Sequence, residues 1–194
     1  TGSGDIALPS KTIDVTPVND APTVSGMPRT VTAIEDVPLG MDLTAVSLAD
    51  VDAVGPMTIT LTAASGTLSA VSASGVSATS TANGKSITLD GTVADLNTYF
   101  VTSGAVSFTG AKDENGVAAD SIQVSADDGD GSGSTSVGSI SVNITPVDDD
   151  LLLVGSGTGE ELFGGDGNDT IFSGAGADTV NGGAGNDILE GGRG

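Results

Sequence analysis

The stretch 164-GGDGNDTIFSGAGADTVNGGAGNDILEGGRG-194 decides how the end of this chain must fold. Written in nines it becomes GGDGNDTIF, SGAGADTVN and GGAGNDILE, with GGRG opening a fourth. The sixth position is always acidic, as Asp169, Asp178 and Asp187, and the eighth is always aliphatic, as Ile171, Val180 and Leu189. One register earlier, 155-GSGTGEELF-163 fits loosely, with Glu160 at the acidic position and Leu162 at the aliphatic one. A flexible glycine-rich linker has no reason to keep an aliphatic residue at every eighth position. A G-x-G-x-x-G nucleotide loop is excluded because no βαβ pattern surrounds the glycines and the nine-residue period already accounts for them.

A second repeat organises the front of the chain. The segments 13-IDVTPVNDAP-22 and 142-VNITPVDDD-150 share a TPV tripeptide at an offset of 129 residues. The same motif therefore closes two successive units. Residues 1–19 are expected to be the last strand and linker of a preceding domain, 20–147 one complete β-sandwich, and 148–194 the glycine-rich repeat. Thr1 reads as an internal start, and the natural protein is expected to continue past Gly194.

Within residues 20–147 the apolar residues alternate as half-buried strands require. Ile59 and Leu61 alternate with threonines, Ile87 and Leu89 flank Thr88, and Ile122 and Val124 flank Gln123. Val137, Ile140, Val142 and Ile144 share a terminal run. One helix is predicted over 92-TVADLNTYF-100, capped by Thr92, with Asp95 near the positive end of the dipole and Val93, Leu96 and Phe100 on its apolar face.

Composition narrows the function. The 194 residues carry a net charge of −21, with only five Lys and Arg, so nucleic acid and anionic lipid are repelled as partners. No cysteine and no histidine are present, which removes disulfides, thiolate chemistry and the usual zinc, iron and copper ligands. Oxygen ligands remain, and they suit hard cations such as Ca²⁺. No run of 18 apolar residues could span a membrane. Thr, Val, Ser, Ala and Gly dominate and aromatics make up 3%, which reads as an all-β chain, with disorder as the competing reading in the absence of calcium.

The acidic residues cluster at 35-ED-36, 50-DVD-52, 113-DEN-115, 127-DDGD-130 and 148-DDD-150. In this respect the chain resembles the cadherin-like domains: 124-VSADDGDG-131 is similar to that family's VxAxDxG turn and 18-VNDAP-22 to its DxNDNAP linker. The EDVP opening and the helical insert look more like the bacterial than the animal form. The resemblance implies calcium at the joints between domains. The first joint would use Asn19, Asp20, Asp50, Asp52 and Asp128; the second would use Glu35, Asp113, Asn115, Asp148 and Asp149. Asn115 stands where the family has Glu, and no further cadherin-like domain follows the second linker. Solvated turn carboxylates are the competing reading at both joints.

The nonapeptide segment resembles the RTX pattern G-G-x-G-x-D-x-U-x, a calcium-binding β-helix repeat. That resemblance implies a parallel β-roll in which each nine is a six-residue turn and a short strand, and two nines make one coil. Turns eighteen residues apart then stack. Asp169 is expected to face the loop of 182–187 and Asp178 the residues from 191 onward, with Asp169, Asp178 and Asp187 as metal ligands. Without calcium such a coil is expected to be unfolded.

Together these readings give an all-β chain, a cadherin/Ig-like β-sandwich followed by the start of a parallel β-roll. The chain resembles a segment of a secreted or cell-surface bacterial adhesin of RTX type, exported by a type I route. Its expected partners are calcium ions and the neighbouring domains of the same chain. No catalytic triad, zinc motif or P-loop occurs, so the segment itself is not expected to be an enzyme. Two competitors stay open: a module that grips a glycan or a cell-surface protein, and the non-catalytic tail of a secreted enzyme.

Overall fold

Alternating Thr or Ser with aliphatic residues gives each strand one apolar and one polar face, and the sandwich is built by stacking the apolar ones. A computed structural model describes residues 10–16, 18–112 and 114–193. Residues 10–16 are exposed and carry no strand. The strands that follow are β1 (Thr23–Ser25), β2 (Thr30–Ile34), β3 (Leu39–Gly40), β4 (Ser47–Ala49), β5 (Met57–Ala63), β6 (Thr67–Ala70), β7 (Ser77–Ser80) and β8 (Ser86–Gly91). Helix α1 (Val93–Phe100) precedes β9 (Val106–Thr109), β10 (Gly116–Asp127) and β11 (Thr135–Thr145).

The large sheet has the order β2-β11-β10-β5-β8-β7, antiparallel throughout except for the parallel pair β2–β11. The smaller sheets β3-β9-β6 and β1-β4 supply the other layer. Ile59, Leu61, Ile87, Leu89, Ile122 and Ile140 from the large sheet share one core with Leu48, Leu68 and Phe108 from the small ones. Val137 is out of phase with Ile140 for a regular strand. A bulge resolves this: Val124 pairs with Gly138 and Ser125 with Ser136, so Val137 is the extra residue and turns toward the core.

Helix α1 starts where its cap dictates. Thr92 is the N-cap, and its hydroxyl accepts the Asp95 N–H at 3.1 Å. Leu96 and Phe100 are buried as the spacing implies, while Val93 is only half-buried. Tyr99, fully buried, completes the face by donating its hydroxyl to the Ala105 carbonyl at 2.9 Å.

Beyond the sandwich the strands become short and parallel: β12 (Leu152–Val154), β13 (Glu161–Asp166), β14 (Thr170–Phe172), β15 (Thr179–Ala184) and β16 (Ile188–Glu190). They form two sheets, β12-β14-β16 and β13-β15. Leu152 pairs with Thr170, Thr170 with Ile188, and Glu161 with Thr179, each step being eighteen residues, so two nines do make one coil. Of the eighth-position aliphatics, Ile171 is fully buried, whereas Leu189, one coil later, is 50% exposed.

The roll also begins earlier than the glycines do. The Asn168 N–H donates to Asp150 Oδ1 at 2.6 Å and the Thr170 N–H to the Leu151 carbonyl at 2.8 Å. The linker 149-DDLLLV-154 is thus the first half-coil, in register with 167-GNDTIF-172. Leu153 stands eighteen residues before Ile171 and pairs with it.

Candidate metal centres

In the roll, glycine is required where loops stack. Gly183 has φ of 99°, and a Cβ there would lie 1.8 Å from the Gly165 carbonyl oxygen, so no side chain fits between the coils. The repeat carboxylates run as a ladder. Asp187 Oδ1 accepts the Asp169 N–H at 3.0 Å, Asp178 Oδ1 the Glu160 N–H at 3.1 Å, and Asp169 Oδ1 the Leu151 N–H at 2.8 Å. Each Asp therefore gives one oxygen to the coil before it. Asp169 does meet the loop of 182–187, through its N–H to Asp187, while the Oδ1 atoms of Asp169 and Asp178 reach back to the preceding coil. The reason is that the backbone N–H at the equivalent position of the preceding coil is the donor within reach. The second oxygen of Asp169 is buried and has no hydrogen-bond partner. It lies beside Gly164, where a Cβ would meet Asp169 Oδ2 at 2.0 Å and the Gly182 carbonyl oxygen at 2.3 Å. One carboxylate oxygen and one carbonyl oxygen from adjacent loops thus converge on the space that glycine leaves open.

At the far end of the sandwich, the β1–β4 pairing sets the linker residues beside the 50–52 loop, since Thr23 is opposite Ala49. The Asn19 side-chain amide donates to Asp128 Oδ2 at 2.9 Å, and the Asp20 N–H to Asp52 Oδ2 at 3.2 Å. The N–H groups of Asp52 and Ala53 donate to Asp50 Oδ1 at 3.1 and 3.0 Å. Asn19, Asp50, Asp52 and Asp128 are drawn together, with the Asp20 backbone, while the Asp20 side chain stays exposed. The Asn19 amide, helped by the Asp130 N–H, holds the Asp128 carboxyl below the usual carboxylate range and keeps it charged.

The opposite end of the sandwich carries the other cluster. Parallel pairing of Ile34 with Thr145 and the Glu35 N–H bond to the Thr145 carbonyl at 2.9 Å set Glu35 against the linker. Glu35 Oε2 accepts the Val147 N–H at 3.2 Å. Glu35, Asn115, Asp148 and Asp149 line one open cleft of about 400 Å³, joined by Lys112, Gly164 and Asp166. Asp113 lies outside the described residues.

Among the described residues five buried side-chain oxygens lack any partner: Asn19 Oδ1, Glu35 Oε1, Asp50 Oδ2, Asp52 Oδ1 and Asp169 Oδ2. All five belong to residues that the sequence singles out as ligands. Burying such oxygens without a donor or a cation costs about 1–3 kcal/mol each, more when charged. A hard cation is the partner that fits oxygen-only surroundings. No three Asp or Glu side chains among the described residues converge closely enough to hold an ion alone, so backbone carbonyls and amide oxygens must complete each shell.

Two further acidic residues escaped the sequence reading. Asp120, 3% exposed, accepts the N–H groups of Ala64, Ser65 and Ser121 on Oδ1 and that of Gly66 on Oδ2. It fastens the β5–β6 turn and has no free oxygen for a metal. A lone Asp in a strand gives no signal of this. Asp166 joins the cleft only because of how the roll docks; its sole sequence signal is that the other repeats carry Ala175 and Ala184 at the same position.

The chain is thus a β-sandwich leading into a glycine-looped parallel roll, with orphaned oxygens at loops of both. The comparison with known families agrees for the roll: residues 163–194 match the family described as RTX calcium-binding nonapeptide repeat (4 copies). These repeats bind calcium and are typical of secreted proteins. No curated protein matches the chain. No helix among the described residues is long and apolar enough to cross a membrane.

Proposed function

We propose that this chain is a calcium-stiffened extender within a large secreted bacterial surface protein of RTX adhesin type, its roll folding on calcium outside the cell. Residues 20–147 act as the spacer, 148–194 as the calcium-folded roll, and 1–19 as the end of a preceding unit. The ligands are Asn19, Asp50, Asp52 and Asp128, with Asp20, at the first joint; Glu35, Asp113, Asn115, Asp148 and Asp149 at the second; and Asp169, Asp178 and Asp187 in the roll. The observation that carries this reading is that all five orphaned buried oxygens fall on these residues and nowhere else among the described ones. Calcium supplies the positive charge those oxygens lack; the chain's own residues supply the loops that hold it. Extracellular calcium modules bind at roughly 10⁻⁴–10⁻³ M, so such a roll stays open at cytosolic calcium and closes after export. The adhesive part of the reading rests on the cadherin-like and RTX resemblances.

The test is a calcium titration of the chain followed by circular dichroism and hydrodynamic radius, beside a variant with Asp169, Asp178 and Asp187 all changed to Ala. The expected outcome is a calcium-driven gain of β-structure with compaction, reduced in the variant. If neither sample responds at millimolar calcium, the reading fails.

A further inference from the structure

Three Asn-Gly pairs occur in the chain, at 83–84, 115–116 and 181–182. In such a pair the glycine nitrogen can attack the asparagine side-chain carbonyl carbon, because no Cβ on the glycine hinders the approach. The fold treats the three pairs differently. At the β7–β8 turn, Asn83 Oδ1 accepts the Thr81 hydroxyl at 2.8 Å and the Lys85 N–H at 3.2 Å. The attacking group there is also engaged, since the Gly84 N–H donates to the Thr81 carbonyl at 2.9 Å. In the roll, Asn181 Oδ1 accepts the Gly183 N–H at 3.1 Å, and Gly182 is buried within β15. Asn115 has neither restraint. It is exposed, as is Gly116, and among the described residues no hydrogen bond holds its side chain. Gly116 has φ of 118°, and a Cβ there would meet nothing within 4 Å. The backbone that follows is loosely held. Gly116 pairs with Ile144, but the next pair is Asp120 with Val142, so Val117, Ala118 and Ala119 bulge out opposite Asn143 alone. Ala118, at φ of 51°, is tied there by its N–H bond to Asn143 Oδ1 at 2.9 Å.

We propose that Asn115 is a site of spontaneous deamidation, and that the fold reserves the reaction for it among the three pairs. The Gly116 nitrogen loses its proton to solvent and bonds to Asn115 Cγ; the Cγ–Nδ2 bond breaks and ammonia leaves. Water then opens the succinimide ring at either carbonyl, leaving aspartate or isoaspartate at position 115. Water is the only co-reactant. The product carries a negative charge where the encoded residue is neutral, at the position where the cadherin-like resemblance has an acidic residue. Isoaspartate also lengthens the main chain by a methylene, which the unpaired segment 117–119 can absorb before β10 regains its register. The proposal does not rest on the calcium-dependent reading above.

The test follows the whole chain over time at mildly alkaline pH in millimolar calcium, beside a second sample kept in urea. Peptide mass mapping reads the amide-to-acid exchange at each pair, an ammonia assay reads the leaving group, and enzymatic methylation specific for isoaspartate reads the ring-opened isomer. In the folded chain Asn115 should convert about tenfold or more faster than Asn83, because freeing Asn83 from one or two net hydrogen bonds costs about 1.4 kcal/mol, a decade in rate. In urea the three pairs should convert alike. Isoaspartate should accumulate together with the ammonia, and Asn115→Gln should remove the early ammonia while Asn83 keeps its slow rate. Equal rates at Asn115 and Asn83 in the folded chain, or a product at position 115 free of isoaspartate, overturns the proposal. If calcium does not fold the roll, Asn181 will convert alongside Asn115 while Asn83 stays slow, so a failure of the calcium reading shows separately and leaves this site standing.

Discussion

Asp120 and Asp169 are both buried aspartates, yet their partners assign them different work. Asp120 has every oxygen taken by backbone N–H groups, four in all, so its charge is solvated by the fold. Asp169 has one oxygen so engaged and one bare. Replacing Asp120 by Ala strands the amides of the β5–β6 turn and should cost at least about 3 kcal/mol, given about 1–3 kcal/mol for each buried unsatisfied donor. Denaturant unfolding should show that loss equally with and without calcium. An Asp120→Ala variant whose defect calcium repairs would contradict a purely structural role.

The roll's elements are too short to stand alone: β12, β14 and β16 have three residues each. Their stability comes from stacking, and the apolar filling is thin, with Ile171 the only fully buried roll aliphatic among the described residues. Ile171→Ala should therefore remove about 2–5 kcal/mol. On the proposed reading calcium drives the same transition, and the defect should show as a calcium midpoint raised about tenfold or more, at 1.4 kcal/mol per decade. Leu189→Ala, at a half-exposed position, should shift the midpoint much less. Equal shifts in the two variants would mean that the inward stack does not hold the coils together.

Across the whole molecule the two joint clusters sit at opposite ends of the β10–β11 hairpin. Asp128 follows the end of β10, while Asn115 precedes its start and Asp148 follows the end of β11. Twelve residues of β10 at about 3.3 Å each separate the clusters by roughly 35–40 Å. The net charge of −21 makes the calcium-free chain repel itself. Raising NaCl shortens the Debye length to about 3 Å at 1 M and should shrink that state, but it offers the bare oxygens only a singly charged ion in place of a divalent one. Scattering and circular dichroism should accordingly show compaction without β gain in NaCl, and both together in millimolar calcium. A full β gain in NaCl alone would show that screening, and not ligation, folds the chain.

How much of this was legible in the residues depends on whether the cause is local. The alternating Thr-rich strands pointed to a sandwich, because side-chain periodicity follows from backbone geometry, and the period of nine with its aliphatic at every eighth position carried the RTX resemblance that implied a roll. Thr92 and Asp95 likewise placed the helix through a cap three residues long. The linker 149–154 was not legible as a half-coil: it has no glycine, and only its partner eighteen residues later makes it a strand. Val137 joined the core through a bulge that depends on its pairing with β10. The direction of the Asp ladder was decided by which N–H lies within reach, and the presence of Glu35 and Asp166 along one cleft by how the roll follows the sandwich. The sequence by itself determined which oxygens are available; only the tertiary structure decided which of them are left bare, because a hydrogen-bond partner is a matter of proximity in space.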